Sequence, residues 1–183
     1  SLHDSQSVAM VALANFFDSI RGFIELGGDV LWAIFAVLLV MWTLIIERYW
    51  FYFRVLPERR KEVLDQWQNR TDHQSWHASR IREELISKVG QEMQRNIRTI
   101  QTLIAVCPLL GLLGTVTGMV AVFDVMAFFG TGNARAMAAG VSQATIPTMS
   151  GMVAALSGLY FGSFLERKSE IETERLEDLL RFD

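Results

Sequence analysis

Thr99–Phe123 reads TIQTLIAVCPLLGLLGTVTGMVAVF, 25 residues without one charge. At about 1.5 Å per helical residue, such a run is long enough to cross a hydrocarbon core of about 30 Å. Working outward, two more uncharged runs flank it, the 17 residues of Val30–Ile46 and the 30 of Ala136–Leu165. The first is the shortest. Trp32 near one end and Tyr49, Trp50, Phe51, Tyr52 and Phe53 past the other form interfacial aromatic belts that extend it. The expectation is an all-α membrane protein with three transmembrane helices and extended cytoplasmic helices.

Composition agrees. Of 183 residues, 51% are hydrophobic and 20% charged, with a mean hydropathy of +0.25. The 12 Phe and 5 Trp exclude a disordered chain, and the apolar balance argues against a soluble enzyme. A net charge of −3 gives no footprint for nucleic acid. Cys107 is the single cysteine, so no internal disulfide can form, and inside an apolar run it reads as a small buried hydrophobe. Ser1 at the head of the chain suggests a processed start.

The position of the charges gives a topology. Arg48 through Arg98 holds 11 of the 17 basic residues, the tail from Glu166 holds four, and Arg21 and Arg135 complete the set. The positive-inside rule places residues 54–98 and 166–183 in the cytoplasm. The expected order is an outer-side amphipathic helix over 1–29, span one with its aromatic belt over 30–53, a cytoplasmic helical segment over 54–98 and span two over 99–123. A periplasm-side turn over 124–135, span three over 136–165 and a cytoplasmic C-terminal helix over 166–183 complete it. In the first of these, Leu13, Phe16, Phe17, Ile20, Phe23 and Ile24 recur at three and four residues. Gly27 and Gly28 then turn the chain into span one. In the cytoplasmic segment Ile81, Leu85, Val89, Met93, Ile97 and Ile100 form one apolar stripe. With only Gly90 as a breaker, this helix is expected to run on into span two.

Spans two and three contain no acid or base, so a proton crossing here needs a carrier from another chain. Their polar groups are hydroxyls, one amide and small residues. Cys107, Gly111, Thr115 and Gly118 share a helix face, and Gly114 and Gly118 make a small-xxx-small step for close helix approach. Gly151 and Gly158 are the matching packing positions on span three. Pro108 and Pro147 are expected to bend their helices. Pro147 cannot donate to the carbonyl of Gln143. That carbonyl, the Gln143 amide and the hydroxyls of Ser142, Thr145 and Thr148 form a polar zone that must face protein or water. For any one hydroxyl the alternative is a bond back to the carbonyl four residues before it. Asp29 and Asp124 read as solvated interfacial carboxylates, with a part in ion entry as the alternative. His73 and His77 are four apart, but with no Cys or further His nearby no metal is expected. No phosphate loop, nucleophile triad or dinucleotide fingerprint is present, so no enzyme, catalytic residue or cofactor is assigned.

Cys107-Pro-Leu-Leu-Gly-Leu-Leu-Gly-Thr-Val-Thr-Gly-Met119, followed by Gly140-Val-Ser-Gln-Ala with Thr148 and Gly151, resembles the MotA/TolQ/ExbB proton-channel family, most nearly its short ExbB members. The likeness is dense over 99–165, and the three-span layout extends it over most of the chain. It implies a homo-oligomeric ring, a pentamer, in the bacterial inner membrane, with the N-terminus periplasmic and the C-terminus cytoplasmic. The ring would surround ExbD-like or TolR-like single-span partners, each carrying a proton-binding aspartate. Such an assembly would use proton motive force to energise a TonB-like protein for outer-membrane nutrient uptake. By the same resemblance Thr115 and Thr148 are the pore-facing threonines, with Ser142, Gln143 and Thr145 in the proton pathway. Gln143 departs from the pattern, since ExbB and TolQ proteins often carry glutamate there. Two other functions remain open: a TolQ-like envelope-maintenance motor, and a non-conducting membrane scaffold.

Overall fold

The computed structural model describes residues 2–71, 74–130 and 132–180; His73 lies outside them. Among the described residues every regular element is helical: α1 (Leu2–Gly27), α2 (Asp29–Trp50), a π-helical turn (Phe51–Val55), α3 (Leu56–Gln68), α4 (Trp76–Gln94), α5 (Ile97–Phe129) and α6 (Ala134–Leu179). Three helices among the described residues are long and apolar enough to cross a membrane.

The joints follow from residue chemistry. Gly28 takes φ +73° between α1 and α2, a conformation that costs glycine little. The expected continuation of α4 into α5 does not occur. The chain breaks at Arg95 and Asn96 instead, where Asn96 adopts φ 65°. Asparagine is among the few side chains that tolerate this region, and its carbonyl then accepts from Ile100 N at 2.9 Å to start α5. The suspected breaker, Gly90, lies inside α4. Beyond Trp50 the helix widens into a π turn in which Leu56 N donates to Phe51 O. Pro57 follows at once. Its ring would clash with the carbonyl four residues back in a regular α-helix, and the wider turn relieves that clash. Pro108 and Pro147 sit inside α5 and α6 without ending them.

The chain forms two compact units, one of residues up to Leu38 with Ala105–Ala155, the other of Leu39–Ile104 with the residues from Leu156 onward. In the first, Leu31, Ile34, Cys107 and Ala154 are buried together, flanked by Ile24, Val37, Leu110 and Ile146. Leu112, Leu113, Val116, Val120 and Phe123 of α5 stay half exposed or more, as do Met149, Met152 and Val153 of α6. Apolar surface on this scale suits lipid or a neighbouring subunit rather than water.

In the second unit, Met41, Ile45, Met93, Ile100, Leu165, Leu176 and Leu180 are almost wholly buried. Gly158 packs there with Met41 and Ile104. Arg48 is 3% exposed and satisfied: it pairs with Glu47 and donates to Glu92 O at 2.8 Å. Tyr52 donates to Met93 O at 2.8 Å. Arg82 donates to the carbonyls of Leu180 at 2.6 Å and Glu177 at 2.8 Å, filling acceptors that the end of α6 leaves open. Arg60 pairs with the buried Glu172, which Arg175 also meets. On the surface of α4, the Lys88 ammonium beside Glu84 holds its carboxyl below the usual range.

Candidate functional site

Within the first unit, α5 and α6 meet backbone to backbone. A methyl group placed on Gly111 would lie 2.9 Å from the Pro147 carbonyl oxygen, one on Gly118 2.6 Å from Ala144 Cα, and one on Gly151 2.5 Å from the Cys107 carbonyl oxygen. One on Gly114 would run into the buried Pro147 ring. In lipid, helices gain no hydrophobic drive to associate, so van der Waals contact at close range must hold them. Bare Cα atoms on a common face permit that range.

This approach brings Thr115 and Thr148 together. Their hydroxyls hydrogen-bond directly to each other. Thr148 Oγ1 also reaches Gly111 O at 3.1 Å, while Thr115 Oγ1 reaches Ala144 O at 3.2 Å and Gly111 O at 3.4 Å. Two hydroxyls carry two protons, and the acceptors allow two full arrangements. In one, Thr115 donates to Thr148 and Thr148 donates to Gly111 O. In the other, Thr148 donates to Thr115 and Thr115 donates to Ala144 O or Gly111 O. Rotation of two O–H bonds exchanges them with no heavy atom moved.

The remaining polar residues go elsewhere. Thr145 is exposed and bonds back to Val141 O at 2.8 Å, the local pattern weighed from the sequence. Ser142 is exposed. Gln143 does not join the threonine pair: its Nε2 lies against Gly28, and it lines a cavity of about 200 Å³ with Gly27, Gly28, Asp29, Thr117 and their neighbours. Five residues along a helix put Gln143 and Thr148 about 140° apart, and α6 stays helical between them. Pro147 is buried and Pro108 exposed. Among the described residues, no three His, Cys, Asp or Glu gather as a metal site. The Ala144 and Gly111 carbonyls were missed by sequence reasoning, since a backbone acceptor leaves no mark in residue type.

A model of the MotA/TolQ/ExbB proton channel family matches residues 56–178, which include both threonines, Gln143 and the packing glycines. The chain belongs to this family. Two Synechocystis sp. proteins named for likeness to the biopolymer transport protein ExbB are similar to it. The one named ExbB-like 1 is 41% identical over 70 residues, 37% of this chain and 28% of the relative. ExbB-like 3 is 42% identical over 65 residues, 34% of this chain and 31% of the relative. The matched stretches thus span under a third of either relative. No solved structure matches the chain. A family of proton channels, three apolar helices and a hydroxyl pair between two of them are mutually consistent.

Proposed function

We propose that this chain is an ExbB-like subunit of an inner-membrane proton channel. Copies of it form a ring, a pentamer on the family pattern, around an ExbD-like or TolR-like single-span partner whose aspartate carries protons. Proton flow drives relative movement of ring and partner and energises a TonB-like protein for nutrient uptake across the outer membrane. The N-terminus is periplasmic and the C-terminus cytoplasmic. Thr115 and Thr148 serve the partner's carboxyl group, donating to it when ionised and accepting from it when protonated. Hydrogen bonding of this kind offsets the cost of a charge in a low dielectric.

The observation that carries this reading is the Thr115–Thr148 hydroxyl pair, which can reverse its hydrogen-bond direction between the stretches Thr99–Phe123 and Ala136–Leu165, neither of which holds an acid or base. Pure helix packing is met by the glycines and needs no such pair. A TolQ-like motor would use the same pair for envelope maintenance, and gene neighbourhood separates the two.

The test is proton flux into proteoliposomes holding the chain co-purified with an aspartate-bearing single-span protein. Thr148→Val keeps shape and removes the hydroxyl; it should preserve the mass of the complex and abolish flux. Flux equal to that of a conducting wild type in Thr115→Val and Thr148→Val would assign the pair to packing, and a wild-type complex without flux would leave the scaffold.

A further inference from the structure

The threonine pair carries no charge, yet one carboxylate of the first unit lies at a polar cavity. Gly28, at φ +73°, turns the chain so that Asp29 opens α2 at the rim of the space lined by Gln143. From α5, Gly114 and Gly118 contribute no side chain to fill it, and Thr117 adds a hydroxyl. That hydroxyl donates to Gly114 O at 3.1 Å, so its oxygen lone pairs remain as acceptors. A volume of about 200 Å³ with acceptors and donors from three helices is roomy and polar enough for several waters.

Neither α1, α5 nor α6 brings a second ionisable group to this lining: Gly27, Gly114, Thr117, Gly118 and Gln143 are all neutral. Asp29 is its titratable member. We propose that Asp29 is this chain's own proton-exchanging carboxylate, loaded from and discharged to water in the cavity it shares with Gln143. Hydronium gives its proton to the Asp29 carboxylate, leaving water and a carboxylic acid; release is the reverse. The Gln143 amide serves both forms through that water, donating from its NH2 towards the anion and accepting at its carbonyl from the acid. A neutral residue at 143 is then compatible with proton exchange, because the charge resides across the cavity. The inference rests on the proton-channel reading.

The experiment is proton flux in proteoliposomes of the intact complex, comparing wild type, Asp29→Asn, Asp29→Glu and Asp29→Asn/Gln143→Glu. Asp29→Asn should lower flux by about a hundredfold or more, the scale of a lost acid–base group, with the mass of the complex unchanged. Asp29→Glu should retain flux, and moving the carboxylate across the cavity in the double variant should restore it. Infrared pH-difference spectra supply a readout independent of flux: Asp29→Asn should lose one titrating carboxyl band. A conducting wild type with equal flux in Asp29→Asn overturns the assignment of Asp29 alone. Loss that the double variant leaves unrestored overturns the shared site. A wild-type complex with no proton flux overturns the channel reading and this inference with it.

Discussion

The carbonyl oxygen of Cys107 faces the bare Cα of Gly151 so closely that a methyl group there would sit 2.5 Å from it. The obstacle is backbone, which cannot swing aside as a side chain can. Gly151→Ala should therefore separate α5 from α6 and lower the thermal midpoint of the detergent-solubilised complex, with about 1–3 kcal/mol lost to overpacking. An unchanged midpoint would mean that the two helices are not held at this distance.

Gly90 makes the opposite case. It lies inside α4 with nothing within 4 Å of where a methyl group would go. Gly90→Ala should stabilise by about 0.5–1 kcal/mol through helix propensity alone, read as a small rise in the same midpoint with flux unaffected.

The two threonines share acceptors, so their contributions cannot be independent. A double-mutant cycle of Thr115→Val and Thr148→Val should show a coupling of about 0.5–3 kcal/mol in stability. Additive losses would contradict the hydroxyl pair.

Arg82 holds the carbonyls of Glu177 and Leu180. Arg82→Ala should cost about 1.5–3 kcal/mol, the range for hydrogen bonds from a charged donor. Hydrogen exchange should rise at the last turns of α6 before it rises elsewhere.

Arg60 and the mostly buried Glu172 form an ion pair in which Arg175 is the second cation. Arg60→Met leaves the carboxylate with a more exposed partner and should destabilise, though less than the 3–5 kcal/mol known for a fully orphaned buried charge. Arg60→Met combined with Glu172→Met should recover part of the loss in the same unfolding measurement.

The three apolar helices were legible because charge is costly in hydrocarbon, so its absence over Thr99–Phe123 and Ala136–Leu165 is itself a strong signal. The glycine spacing of α5 was visible for a related reason: Gly111, Gly114 and Gly118 recur at three and four residues, the step at which small residues share a helix face. The break at Arg95 and Asn96 was not. Asparagine occurs in helices and in left-handed turns alike, and only the surrounding fold selects φ 65°. The place of Gln143 was hidden in the same way. Its neighbour Gly28 is more than a hundred residues earlier, and no local pattern joins them.

The widened turn at Phe51–Val55 has a consequence for inheritance. A π turn is what an α-helix becomes when it absorbs one extra residue, so this segment is where the chain can change length by one at least cost. Deleting one residue from it would close the turn as ordinary α-helix. The helices on either side would keep their phase, so Leu56, Val63 and Trp67 would stay on the buried face they occupy. What resists the change is Pro57, whose ring would again meet the carbonyl four residues back once the turn closes.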